Sequence, residues 1–115
     1  MEEVNFKVIQ GDTFTIVVTY KNPNGSVIDI TDFTARMDVR DKPGGKVLCA
    51  SATENNGGIV IDGPNGEITI EFTPAQTKKF TIPNAAHQLK ITNLNTNQET
   101  TLVQGYLQVS SAVIR

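Results

Sequence analysis

The sequence has few of the residues that catalysis or metal binding usually needs. It contains one cysteine, one histidine and no tryptophan, and aromatic residues make up 6% of it. A single cysteine excludes an internal disulfide, so the chain must fold by packing alone and is compatible with a reducing compartment. The core must therefore come from aliphatic side chains and the five phenylalanines.

The chain also lacks a block of charge of either sign. Ten basic and twelve acidic residues are mixed along the sequence and give a net charge of -2. This pattern has no basic footprint for nucleic acid. The N-terminus is acidic and without an apolar segment, and no run of about 18 apolar residues occurs. We therefore expect no nucleic-acid partner, no membrane span and no signal peptide.

What the sequence does contain is strict alternation of apolar and polar residues, which is typical of half-buried β-strands. The clearest case places Phe14, Ile16, Val18 and Tyr20 on one face and Thr13, Thr15, Val17 and Thr19 on the other. Turn residues such as Asn-Gly and Pro-Gly separate the alternating segments. Further strands are predicted at 26–30, 33–40, 47–50, 59–61 and 67–73, around Leu89 and Ile91, and through Val103, Gly105, Leu107 and Val109; turns or loops are predicted at 22–25, 41–45, 51–58, 62–66 and 93–98.

One short segment, 73–80, has the signals of a helix start. Thr73 fits the N-cap, Pro74 fits the first helical position, and Gln76 completes a capping box. The segment is long enough for only a turn or two of helix.

These elements predict the fold class. About eight strands spaced by roughly 8–12 residues, with no alternation of strand and helix, favour a two-sheet sandwich. At 115 residues the chain fits one domain spanning 1–115. We predict an all-β, immunoglobulin-like antiparallel β-sandwich with one short helical turn. The predicted core comprises Phe14, Ile16, Val18, Phe33, Met37, Ile68, Ile70, Phe72, Leu107 and Val109.

No set of residues predicts a catalytic centre. Cys49 lies between Leu48 and Ala50, as expected of a buried core cysteine rather than an activated thiolate. His87, the only histidine, lies near a predicted strand start, where it is expected to be a structural strand or edge residue. We therefore predict no catalytic residue and no enzymatic activity.

The acidic residues likewise predict no metal or cofactor site. Asp residues are scattered rather than arranged as a calcium loop. The turn 62–66 has oxygen ligands to offer, but Asp-Gly and Asn-Gly are residues that turns need in any case. Glu67, Glu71 and Glu99 are candidates for paired carboxylates in glycoside chemistry, yet Glu67 and Glu71 fall on the exposed side of one strand. We expect no cofactor.

Four turn-plus-strand patterns carry a resemblance to a known family. They are Gly11-Asp12-Thr13 before a strand, Asn24-Gly25 followed by Ile28-Asp29-Ile30-Thr31, the strand from Gly66 into Thr73-Pro74-Ala75-Gln76-Thr77, and Gly105-Tyr106-Leu107-Gln108-Val109. With these patterns, most of the chain resembles the N-terminal domain of phage baseplate upper proteins and related tail-associated immunoglobulin-like modules. It departs from that pattern at His87-Gln88-Leu89, where the family usually has an aromatic residue.

The resemblance implies a non-enzymatic virion structural protein of a phage or prophage. Such a protein would be a virion component of the tail, baseplate or neck, made in the bacterial host cytoplasm, that binds other virion proteins. Because its partners would be proteins, we expect a homo-oligomer or an exposed strand edge ready for pairing near either terminus. The alternative is a carbohydrate-binding β-sandwich module for host-surface glycans. That alternative is weakened by the absence of tryptophan and the presence of only two tyrosines, since sugar-binding faces favour exposed aromatic rings.

Overall fold

The computed structural model describes residues 2–111. Met1 and residues 112–115, which the predicted domain includes, lie outside the described residues. The described part contains nine strands and one helical turn. These are β1 (Glu2–Glu3), β2 (Phe6–Ile9), β3 (Phe14–Thr19), β4 (Phe33–Arg40), β5 (Leu48–Thr53), β6 (Ile59–Asp62), β7 (Glu67–Phe72), α1 (Pro74–Thr77), β8 (Asn84–Asn93) and β9 (Glu99–Ser110).

The strands form two sheets that pack face to face as a sandwich. The larger sheet has six strands in the order β1-β9-β8-β4-β5, with β2 also pairing with β9, and the smaller sheet has the order β3-β7-β6. All pairings between described strands are antiparallel except those of β1 and β2, which run parallel to β9. The predicted all-β sandwich is confirmed, and its N-terminal strands add a parallel edge that the sequence pattern did not indicate.

One hydrophobic core joins the facing sides of the two sheets. Of the ten predicted core residues, six are buried, namely Met37, Ile68, Ile70, Phe72, Leu107 and Val109. The other four, Phe14, Ile16, Val18 and Phe33, are half-buried and pack against that core. Three of these four lie on β3, whose position at a sheet edge leaves one side of the strand uncovered. Thr15 and Glu71 are exposed and Thr69 is half-buried, so the predicted inward and outward faces of β3 and β7 are correct.

The predicted strand 26–30 is wrong. Only an isolated bridge between Lys21 and Val27 forms there. Asn24 Oδ1 accepts the backbone N–H of Ser26 at 2.9 Å, and Asp29 Oδ1 accepts that of Thr31 at 2.9 Å. Short polar side chains thus take up backbone donors locally, in competition with a sheet ladder.

The predicted loop 51–58 begins too early, because β5 continues to Thr53. Its polar residues Ser51 and Thr53 alternate with buried Ala50 and Ala52, and both alanines face the core. A strand with alanine as its buried residue has a weak hydrophobic alternation, and for that reason the sequence pattern missed this part of β5.

The capping box at α1 is confirmed. Thr73 Oγ1 accepts the backbone N–H of Gln76 at 3.3 Å, and Gln76 Oε1 accepts that of Thr73 at 2.8 Å. The buried hydroxyl of Thr77 donates to the carbonyl of Asp12 at 2.9 Å, which ties this turn to the segment before β3. No helix within residues 2–111 is long and apolar enough to cross a membrane.

Candidate interaction surface

Cys49 lies where the sequence predicted, in the core. Its side chain is 7% exposed. The Sγ atom is 3.3 Å from the hydroxyl of Thr81, which is its hydrogen-bond partner. Such a thiol is enclosed and has a neutral hydrogen-bond partner, as expected of a core cysteine.

His87 is more enclosed than the sequence suggested. It lies on β8, inside the six-stranded sheet, and is 3% exposed. Its Nε2 is 2.7 Å from the carbonyl oxygen of Val4, and its ring centroid is 5.2 Å from that of Phe6. Burial lowers the pKa of His87 from 6.5, and the hydrogen bond to Val4 opposes that shift. A neutral ring that donates from Nε2 to Val4 fits this geometry.

The position of His87 depends on the glycine opposite it. Gly105 of β9 pairs with His87 of β8. A Cβ at Gly105 would lie 2.2 Å from the Val4 carbonyl oxygen, so any side chain there would displace the segment between β1 and β2. The missing side chain lets the imidazole reach across β9 to Val4. His87 thus joins the N-terminal segment to the sheet, which is a structural role of the kind that the sequence predicted.

The acidic residues that the sequence singled out do not converge. Glu67 and Glu71 lie on the exposed face of β7, whereas Glu99 begins β9 in the other sheet. In the turn 62–66, Asp62 Oδ2 accepts a hydrogen bond from Asn65 at 2.8 Å. Within residues 2–111 no three His, Cys, Asp or Glu side chains are grouped as metal ligands would be.

The outer face of the six-stranded sheet carries a polar network centred on Asp38. Asp38 Oδ1 lies 2.8 Å from Arg36 Nε and accepts the hydroxyl of Ser51 at 2.8 Å. The second oxygen of Asp38 lies 3.5 Å from Arg40. The same face also carries Lys90, which lines a shallow depression together with Arg36 and Asp38.

The outer face of the three-stranded sheet has a different character. Val17 is 59% exposed and Val60 is 65% exposed, and both pair with Thr69, which lies between them. We call this row of three residues the valine row. Acidic side chains of Glu67 and Glu71 lie on either side of it, and the strands of this sheet contain no lysine or arginine. The outer face of this sheet therefore presents two exposed valines and, in its strands, acidic charge only.

Part of this surface was visible in the sequence and part was not. Val17 interrupts the threonines on the polar side of β3, and that signal was available in the alternation. Val60 belongs to a short apolar run that gives no indication of which residue faces water. The row itself depends on the register of β3, β7 and β6, which local sequence does not specify.

Comparison with known proteins supports the fold. No model of a known protein family matches the sequence, and no curated protein matches it. The fold is similar to the N-terminal domain of phage TP901-1 ORF48, with a TM-score of 0.59 and 9% identity over 96% of this chain and 99% of that one. It is also similar to the NK cell receptor NKp44, with a TM-score of 0.54 and 16% identity over 96% of this chain and all of the other.

Both likenesses agree with the predicted immunoglobulin-like sandwich. At these identities they show the fold alone. Matches extend to 164 solved chains, so the fold is common and does not by itself select a function.

Proposed function

We propose that the chain is a non-enzymatic structural protein of a phage or prophage virion that binds other virion proteins as a tail, baseplate or neck component. The observation that carries this proposal is the fold similarity to the N-terminal domain of a phage TP901-1 protein, in which each chain covers nearly all of the other. Because nearly all of both chains is covered, the similarity is between two whole domains and is not limited to a shared strand motif.

The surfaces of the sandwich support an assembly role. The valine row leaves Val17 and Val60 facing solvent on the two edge strands of the smaller sheet, where a protein partner would remove them from water. The surroundings of Cys49 and His87 are consistent with this role, because both side chains are enclosed and each is hydrogen-bonded to a structural neighbour.

The proposal is tested by locating the protein in virus particles. Particles are induced from the strain that encodes the chain, purified on a density gradient, washed in high salt and probed with an antibody to the chain. We expect the protein to stay with the particles in constant ratio to the tail proteins, and labelled antibody to mark one part of the particle. Removal by the salt wash, or absence from the particles, would contradict the proposal.

A glycan-binding role is the second candidate, and one surface favours it. Tyr106 is 46% exposed and borders a shallow depression that Asn5, Asn84 and Gln108 also line. An aromatic ring beside amide side chains is a usual arrangement for stacking and hydrogen bonding to a sugar. However, Asn5 Oδ1 already accepts the backbone N–H of Tyr106 at 2.9 Å, so one of the three amides is occupied.

Isothermal titration calorimetry distinguishes the two roles, because its heat signal does not depend on the tyrosine that is replaced. Cell-wall polysaccharide fragments from the host are titrated into the protein and into Tyr106→Ala and Tyr106→Phe variants. The virion proposal expects no saturable change in any of them. A saturable change that Tyr106→Ala abolishes and Tyr106→Phe retains would favour glycan binding.

A further inference from the structure

The strand edges of the two sheets differ in how well they are protected. At the edge of the six-stranded sheet, Asn56 covers β5: its Nδ2 donates to the carbonyl of Ser51 at 2.8 Å, and its Oδ1 accepts the backbone N–H of Thr53 at 3.0 Å. The Thr53 carbonyl is used as well, by the N–H of Gly58 at 3.1 Å. This edge is therefore already occupied by the chain itself.

Two more edges are short and carry charge. Strand β2 has four residues and includes Lys7, and strand β6 has four residues and ends at Asp62. A short edge strand with a charged residue is a common device that prevents pairing with another chain.

Strand β3 has none of these devices. It runs for six residues, Phe14–Thr19, without charge, proline, glycine or bulge. Tyr20, directly after it, donates its backbone N–H to Gly66 on the β7 side. Because backbone groups alternate in direction along an antiparallel pair, those of Thr15, Val17 and Thr19 point away from β7. No hydrogen bond from the described residues reaches these three residues.

We propose that β3 pairs antiparallel with β3 of a second copy of this chain, about a two-fold axis at Val17. The three outward-pointing residues are then all used, because Val17 pairs with Val17 of the second copy and Thr15 pairs with Thr19 of the second copy. Such pairing forms about six main-chain hydrogen bonds and joins the two three-stranded sheets into one. A two-fold arrangement also closes, so it forms a dimer and not a fibre.

The side chains favour a second copy as the occupant. The residues that would meet are valine with valine and threonine with threonine, so no like charges oppose each other. The two valine rows become continuous across the axis. Glu67 and Glu71 lie on β7, one strand spacing of about 4.8 Å farther from the axis than β3. Packing of the two outer faces against each other would instead bring the carboxylates of both copies together, which disfavours that arrangement.

This inference rests on the proposed function, since a virion component is expected to assemble, but its test is separate. Detection in purified particles reports on the virion role. Association of the purified protein with itself reports on the β3 edge. A protein that is present in particles and remains monomeric in solution would support the first and overturn the second.

The valine row provides a matched pair of substitutions. Val17→Lys places two ammonium groups opposite each other at the proposed axis, whereas Val60→Lys adds the same charge to the same face on the far strand. Both side chains are mostly exposed, so both variants are expected to fold, which far-UV circular dichroism checks. Sedimentation velocity over a range of concentrations measures association. We expect Val17→Lys to raise the dimer dissociation constant by at least about tenfold and Val60→Lys to leave it nearly unchanged.

Cross-linking tests the register directly. Paired residues that exchange hydrogen bonds have Cα atoms about 5.5 Å apart, within the range of a disulfide. In a Cys49→Ala background, Val17→Cys is expected to form a covalent dimer under mild oxidation, and Val60→Cys is expected not to. The proposal would be overturned if the wild-type protein stayed monomeric, or if both lysine variants lost association equally or neither lost any. Equal cross-linking of Val17→Cys and Val60→Cys would overturn it as well.

Discussion

Gly105 gives the sharpest test of how the N-terminal strands are held. Alanine at this position would place a Cβ 2.2 Å from the carbonyl oxygen of Val4 and 2.8 Å from Oδ1 of Asn5. The first of these atoms is backbone, so it can move only if the segment between β1 and β2 moves. That movement would break the hydrogen bond between His87 Nε2 and Val4 and the bond from the Val4 N–H to the Gln104 carbonyl.

The expected loss follows from those two contacts. A buried imidazole nitrogen left without its partner costs about 1–3 kcal/mol, and the backbone bond adds about 1 kcal/mol. We therefore expect Gly105→Ala to lower the free energy of unfolding by about 2–4 kcal/mol. This is a large fraction of the stability of a domain of this size, which is about 5–15 kcal/mol.

Urea unfolding followed by far-UV circular dichroism measures this loss. Gly57→Ala is the control, because Gly57 has a φ of +78° and a Cβ added there would meet no atom within 4 Å, so this change reports backbone strain alone. We also expect His87→Ala to cost at least about 0.5 kcal/mol less in the Gly105→Ala background than in the wild type, because both changes remove the same hydrogen bond. A Gly105→Ala loss no greater than that of the control, or strictly additive losses, would refute the explanation.

Three further predictions concern side chains in the two sheets. Burial lowers the pKa of His87 from 6.5, so below about pH 6.5 the unfolded chain takes up a proton at this residue while the folded chain does not. The free energy of unfolding in urea should therefore be level above that pH and fall below it, by at most about 1.4 kcal/mol per pH unit. The His87→Gln variant should show a flatter pH profile. Cys49→Ala should lower the free energy of unfolding by about 1–2 kcal/mol. A thiol reagent should label Cys49 slowly in the native protein and quickly in the unfolded chain, and fast labelling of the native protein would contradict its burial. Asn56→Ala should lower the free energy of unfolding by about 1–2 kcal/mol and, by uncovering the β5 edge, increase light scattering. Asn55→Ala is the control and should do neither, because it removes no side-chain hydrogen bond found within residues 2–111.

Much of the candidate site lay beyond what sequence could indicate. The sequence identified Cys49 as a core residue because its neighbours in the chain are apolar. It also indicated that Val17 faces the polar side of its strand. It contained no indication that Val17, Thr69 and Val60 form one row, since their alignment depends on pairings between strands about 10 to 50 residues apart.

The sequence by itself determined the features that depend on near neighbours. Alternation along β3, β4 and β7 set which side of each strand faces the core, and Thr73 and Gln76 set the start of α1. These features follow from interactions within a few residues, and a local pattern is sufficient to record them.

Only the tertiary structure decided which strands are neighbours. The pairing of β1 and β2 with β9 joins residues about 100 positions apart, and it needs both Gly105 without a side chain and His87 opposite it. The same long-range pairings leave β3 at an edge, with its outward backbone groups free of hydrogen bonds from the described residues. An alternating segment has the same pattern at the centre of a sheet as at its edge, because alternation records the two faces of a strand and contains no information about its two sides.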